Sequence, residues 1–257
     1  MKLLNIKLKE NRIKMSEIKL YNEDCLKVMG GVADNSVDLV CSDVPYLVTS
    51  RGNSGSMGGY VTNKLAMCGK IFENNSIKPS DYLPHFYRIL KDKTHCYIMI
   101  NNLNLQEMLN EATKVGFHFV KCLIWDKQNK ICGRYYMNQF EYICLFRKGG
   151  DRPINNCGTS DILSIPIKKL KDENGNNLHD TEKPIELMKI LVENSTNEGE
   201  TVLDPFMGIG SCGIASKMLN RNFIGCEIDP KYFEIAKNRI ENNGNYVDNS
   251  KENLFDL

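Results

Sequence analysis

Short apolar runs alternate with helix-length segments along most of this chain, and that alternation limits the folds open to it. Residues 18–21 read as a short strand and 37–41 as a second, apolar and β-branched. Residues 81–90 read as a helix entered through Pro79-Ser80, 94–100 as a buried strand, and 103–115 as a helix stopped by Gly116. Two more strands are predicted over 117–125 and 141–147. Pro184 opens a helix to residue 192, followed by a strand over 201–206, a glycine turn and a helix through Leu219. A strand over 223–228 and a helix opened by Pro230 complete the pattern. The prediction is an α/β fold with a mostly parallel sheet. Residues 47–79, rich in Gly, Asn and Ser, and the polar stretch 149–180 break the alternation. Long loops in a compact domain usually carry function or are disordered.

Composition narrows the class. Hydrophobic residues make up 42% and charged ones 25% of 257 residues, which excludes a largely disordered chain and fits one large domain or a domain with a modest insertion. No window approaches the roughly eighteen uninterrupted apolar residues of a membrane span. Lys2, Asn5 and Lys7 interrupt the start where a signal peptide would be apolar, so a cytoplasmic protein is expected. The ten cysteines include no Cys-x-x-Cys pair and mostly sit in apolar runs. They read as reduced core thiols, with no metal site. A net charge of +1 excludes a uniformly basic nucleic-acid binder. Local basic patches remain, at Lys2, Lys7, Lys9, Arg12 and Lys14, and among Lys121, Lys127, Lys130, Arg134, Arg147, Lys148 and Arg152.

Two strand ends carry chemistry. Asp204-Pro205-Phe206-Met207-Gly208-Ile209-Gly210-Ser211-Cys212-Gly213 follows a strand and opens a helix. Glycines there let the backbone approach a ligand, and the helix start offers free N–H groups. Glu227 ends the next strand, where a carboxylate can accept from ribose hydroxyls. The spacing G-x-G-x-x-G equally spells a dinucleotide site or a plain tight turn. Against the dinucleotide stand the Asp-Pro-Phe before the glycines and the short chain after them. The other end is Ser42-Asp43-Val44-Pro45-Tyr46. An exocyclic amine is a poor nucleophile because its lone pair is conjugated into the ring. A carboxylate and a backbone carbonyl accepting its hydrogens free that lone pair, each charge-assisted bond being worth roughly 1.5–3 kcal/mol. An aromatic face stacks on the base for about 1–3 kcal/mol. A base inside a duplex must be flipped out to meet these groups.

Together the motifs resemble those of DNA amino-methyltransferases. Asp43-Val44-Pro45-Tyr46 resembles the D-P-P-Y motif, and Asp204 to Gly210 resembles the F-x-G-x-G motif. His179-Asp180-Thr181-Glu182-Lys183-Pro184 resembles H-P-T-Q-K-P, Phe223 to Asp229 the acidic strand end, and Asn22-Glu23-Asp24-Cys25-Leu26 the G-D-C-L segment. The order, catalytic motif first and cofactor motif last, is that of the β-type members. The resemblance covers about residues 18–242. It implies a seven-stranded, mostly parallel, doubly wound sheet of the Rossmann-like methyltransferase fold with a small loop-rich target-recognition insertion. It implies S-adenosylmethionine as cofactor and double-stranded DNA as partner; relatives are often dimers, which leaves pairing with a second copy open.

By the same resemblance, Asp43, Pro45 (through its carbonyl) and Tyr46 hold the target base. Glu227 holds the cofactor's ribose and Asp24, beside Cys25, its adenine amine. Phe206, Gly208 and Gly210, with Asp204 and Ser211, cradle the remainder. Thr181, Lys183 and Pro184 flank the methionine end, where Lys183 could pair with the carboxylate. The chain then divides into a basic extension (1–17), a catalytic half (18–148) with a DNA-contacting loop (47–79), a target-recognition region (149–178), a cofactor half (179–242) and a tail (243–257). Arg51 to Tyr60 is expected to close over DNA, and Lys127, Lys130, Arg134 and Tyr135 to form a phosphate-contacting rim with the lysines of 149–178.

Val44 stands where the family has its first Pro, which loosens the turn. Asp180 and Glu182 add negative charge near the methionine end. Asp at the first position of the catalytic motif goes in the family with adenine N6 rather than cytosine N4, so adenine is the expected base and cytosine N4 the alternative. Methylation of RNA or a protein amide, a non-catalytic nucleotide-binding regulator and an NAD oxidoreductase are the other readings. Cytosine C5 chemistry needs a Cys nucleophile, which in that family follows Pro, and no Pro-Cys pair exists here.

Overall fold

The computed structural model describes residues 16–46, 77–131, 135–171, 175 and 182–246. The strands are β1 (Ile18–Tyr21), β2 (Val37–Asp43), β3 (Leu90–Ile100), β4 (His118–Ile131), β5 (Asn138–Lys148), β6 (Ile162–Ser164), β7 (Thr201–Asp204) and β8 (Asn222–Cys226). The helices are α1 (Cys25–Gly30), α2 (Pro79–Ile89), α3 (Leu105–Val115), α4 (Ile185–Ser195), α5 (Ser211–Met218) and α6 (Pro230–Glu241). One sheet holds all eight strands in the order β1-β8-β7-β2-β3-β5-β4-β6. Only β5 runs against its neighbours; the other pairings are parallel.

The sheet therefore has eight strands among the described residues, not the seven expected. The added strand, β6, lies in the stretch read as polar and irregular. Ile162-Leu163 is apolar for too few residues to signal a strand alone, but it pairs with Ile124-Trp125 of β4, and Leu163 is buried. Beside it, the Trp125 indole N–H donates to the Ile165 carbonyl at 2.8 Å.

Alternation along the strands sorts the core onto two faces. Val40, Cys96, Ile98 and Ile100 pack with α1, α2 and α3. Leu39, Cys41, Tyr97 and Met99 pack with α4, α5 and α6. β2 is buried on both faces, as a central parallel strand must be, whereas β1 alternates half-buried and exposed at the edge. Capping fits the sequence: Asp24 accepts from Leu26 N and Lys27 N at the start of α1, Asp229 does the same for α6, and Gly116 ends α3 at φ 109°. Among the described residues no helix is long and apolar enough to cross a membrane. The eight described cysteines are free thiols, six of them buried.

Strand order decides where a site can form. From β7 the chain passes to β8, away from β2; from β2 it passes to β3, away from β7. The crevice outside the carboxyl ends of β2 and β7 is thus the topological switch point.

Candidate active site

β2 pairs with β7 through Leu39 opposite Val202 and Val40 opposite Leu203. Continuing that register sets Cys41 level with Asp204, so Asp43 projects two residues, roughly 7 Å, further. The two acidic strand tips are neighbours. Ser42 joins them: its hydroxyl donates to Asp204 Oδ1 at 2.5 Å, which also accepts from Phe206 N at 3.2 Å. Burial pushes the Asp204 carboxyl up to about 7 against both hydrogen bonds.

At the tip of β2, Asp43 Oδ2 accepts from the Lys183 ammonium. Its other oxygen, Oδ1, is buried and has no hydrogen-bond partner. Such an acceptor is costly unless something supplies a donor. Burial raises the Asp43 carboxyl, with Lys183 opposing it and Glu141 adding to it. Val44 is buried in the core, so the branched side chain replacing the family's Pro anchors the turn through packing. Burial, and then the charge of Asp43, push the Tyr46 hydroxyl well above its usual value, so the ring carries a neutral phenol.

β7 leads into the glycine turn. Gly208 and Gly210 take φ 52° and 85°. A Cβ on Gly210 would lie 3.1 Å from Ile240 Cδ1 and 3.2 Å from Ala236 Cβ, so α6 also requires the glycine. Ser211 then starts α5 with its hydroxyl buried. Glu227 closes the turn from β8: one oxygen accepts from Gly208 N at 3.0 Å, the other from Asp229 N at 2.9 Å. Burial raises its carboxyl despite those bonds. The Phe206 ring meets Tyr82 edge-on at 5.4 Å. Asn22 ties the end of β1 to the same place, donating to the Glu227 carbonyl at 2.8 Å. The Cys25 thiol, pushed up to about 12 by burial, is held protonated.

The DNA methylase family profile matches residues 37–238. The chain belongs to the DNA methylase family. It is 27% identical over 239 residues to the Type II methyltransferase M2.DpnII of Streptococcus pneumoniae, covering 86% of this chain and 89% of that protein. The crystal structure of the M1.HpyAVI–SAM complex superposes with a TM-score of 0.63 at 22% identity, over 86% of this chain and 99% of that one. PvuII DNA methyltransferase, cytosine-N4-specific, gives 0.68 at 15% identity, over 91% and 95%.

Several residues take up places other than those the sequence suggests. Lys183 is expected at the donor's carboxylate, but its ammonium already faces two carboxylates, Asp43 and Glu141. Glu182 is expected to leave negative charge near the donor. Its carboxylate is instead paired with buried Arg239 at 2.7 Å and accepts from Leu170 N at 2.9 Å. Arg239 also donates to the Ile209 carbonyl, bracing the glycine turn from α6. Lys127 is expected on a phosphate-contacting rim; it turns inward and pairs with Glu141. Lys121 pairs with Asp161. Pro184 is the N-cap of α4 rather than its first turn. Asp24 spends Oδ1 on the cap of α1. Thr181, Arg134, most of the 47–79 loop and residues 1–15 lie outside the described residues.

Sequence reasoning missed Glu141, Trp125 and Arg239, and assigned Lys127 to the surface rather than to its pair with Glu141. The one available signal is a charged pair, Lys127 and Glu141, flanking otherwise apolar strands. The arrangement fits an adenosine-type donor: left-handed glycines at a helix start, with a buried carboxylate at the end of the neighbouring strand. Among the described residues no group of three or more His, Cys, Asp or Glu is placed to hold a metal ion.

Proposed function

We propose that this methylase transfers a methyl group from S-adenosylmethionine to N6 of an adenine flipped out of double-stranded DNA. The observation that carries the reading is Asp43 Oδ1, a buried acceptor with no partner at the strand tip beside the glycine turn. When bound, S-adenosylmethionine supplies an electrophilic methyl on a sulfonium. The chain supplies the rest. Asp43 Oδ1 accepts one amine hydrogen and the Pro45 carbonyl the other, which frees the nitrogen lone pair for in-line attack. Tyr46 stacks on the base. Methyl transfer to the amine would release the donor's sulfur as a neutral thioether with the S–C bonding pair and leave the nitrogen with a proton to lose. Asp43, its affinity for protons raised by burial, is the nearest base. Glu227 holds the donor's ribose, and Gly208 and Gly210 let the backbone close on it.

The carboxylate at the first position of the motif favours adenine. Cytosine N4 presents the same two hydrogens and is the reading to exclude. Nucleoside mass spectrometry of plasmid DNA from a methylase-free host separates them. N6-methyladenine is expected with the native chain and absent with Asp43→Ala. N4-methylcytosine alone would overturn the choice of base, and neither product would overturn the activity.

A further inference from the structure

Asp43 does not meet Lys183 alone. The ammonium that donates to Asp43 Oδ2 stands 3.5 Å from Glu141 Oε2, and Glu141 Oε1 accepts from Lys127. The chain Lys127–Glu141–Lys183–Asp43 runs beneath the site, with Lys183 5% and Glu141 17% exposed. It is folded around Trp125, whose ring centroid lies 5.3 Å from the Lys127 ammonium and 5.9 Å from that of Lys183. Trp125 is directly opposite Glu141 across β4 and β5, and Lys127 follows it on the same face. The β4–β5 hairpin thus delivers a second carboxylate and a second ammonium to the tip of β2.

We infer that Glu141 is a positioning residue for Asp43, holding the Lys183 ammonium between two carboxylates so that Asp43 keeps Oδ1 open to the base amine. The inference rests on the reading of Asp43 as the group that accepts from that amine. An ammonium facing one carboxylate can settle across both of its oxygens, and an acceptor so compensated binds an amine hydrogen weakly. A second carboxylate on the far side of the ammonium prevents this. Lys127 balances the added charge, so two carboxylates and two ammoniums share the buried space without net charge. An unbalanced cluster there would be costly.

The groups facing Asp43 are Lys183 ahead of α4, Glu141 of β5, Lys127 of β4, Asp204 of β7 and Tyr46 of its own turn. Lys127 and Lys183 make Asp43 easier to ionise; Glu141 makes it harder. Two substitutions should therefore move the acidic limb of the kcat profile in opposite directions.

The test measures methyl transfer by the full chain on duplex DNA across pH, with donor affinity by calorimetry and Trp125 emission as separate readouts. Trp125 is the sole tryptophan. Glu141→Gln should lower kcat roughly ten- to a hundredfold, leave donor affinity within about twofold, and move the acidic limb to lower pH. Lys127→Met should move that limb to higher pH. The double variant should return it toward the native position. Trp125 emission should change in both single variants, even without donor or DNA, and stay unchanged in the surface control Lys114→Ala. An unmoved limb, or both limbs moving the same way, overturns the inference. So does a Glu141→Gln enzyme of native kcat. Should Glu141→Gln fail to fold, Lys127→Met decides through the direction of its limb. A native chain without methylation overturns the reading of Asp43 instead, and Trp125 emission still reports whether the four charges act as one cluster.

Discussion

Asp204 shows how one side chain ties chemistry to stability. Its carboxyl titrates near 3.8 in an unfolded chain and near 7 in the fold, chiefly through burial. Between those values the folded protein binds a proton that the unfolded chain has lost. Its contribution favours folding fully below about pH 4 and is lost as pH rises through about 7. Asp204→Asn can still accept from Ser42 and Phe206 but never ionises. Without donor, the difference in Tm between variant and native chain should therefore move in the variant's favour from about pH 5 to about pH 8, the ceiling over that range being about 2.5 kcal/mol. A constant difference across that range would show that Asp204 is not buried as a charge. Gly210→Ala tests the neighbouring turn. At φ 85°, with Ile240 3.1 Å from the new methyl, it should cost about 1–3 kcal/mol in urea unfolding and weaken donor binding. Asp43, Asp204 and Glu227 stood out in the sequence because each ends an apolar strand, and the two glycines because they fill the turn between a strand and a helix. Glu141 and Arg239 did not. Their partners Lys183 and Glu182 lie 42 and 57 residues away in the chain, and only the completed sheet brings each pair together.

At the scale of elements, the strands and helices with strong periodicity stood out, and those made by tertiary pairing did not. β4 runs to Ile131, well past the predicted residue 125, because β5 pairs with polar Asp126 through Phe140 and, beyond an irregularity in register, with Ile131 through Asn138. α1 is six residues long, too short for a periodic signal, and depends on its Asp24 cap and on burial of Cys25 and Met29. The segment after β5 reads as loop, yet it is fastened. Asn155 donates from its backbone to the Asn194 carbonyl at 2.7 Å, and from its side chain to the carbonyls of Glu193 and Thr196 at 2.8 Å each. These satisfy carbonyls that the end of α4 leaves open. Nearby, the His95 imidazole bridges Ser195 Oγ at 2.8 Å and the Arg152 carbonyl at 2.9 Å. Asn155→Ala should thus cost about 1–3 kcal/mol, read from the urea midpoint at unchanged m-value. A midpoint within error of the native one would make the segment a passive tether.

At the scale of the molecule, the two halves of the site share one sheet. The proposed donor side belongs to β7, β8 and β1; Asp43, Lys183 and Glu141 reach the proposed base side through β2, β5 and the start of α4. Both core clusters cross from one side to the other: Leu203 packs in the same cluster as Phe146, and Phe223 in the same cluster as Trp125. Among the described residues no seam in the packing separates the β7–β8 side from the β2–β5 side. A ligand that binds the folded chain at β7 and β8 should therefore stabilise β4, at the far side of the sheet. S-adenosylmethionine at about a hundred times its Kd should add about 2.7 kcal/mol to unfolding. The gain should appear equally in far-ultraviolet circular dichroism and in the emission of Trp125. Asp43→Asn should keep that gain, since its side chain is proposed to face the base, whereas Glu227→Gln should lose most of it. If the Trp125 transition stayed fixed while the circular dichroism transition rose, the sheet would unfold in two pieces. The adjacency of β2 and β7 would then position two ligands without coupling the strands that hold them.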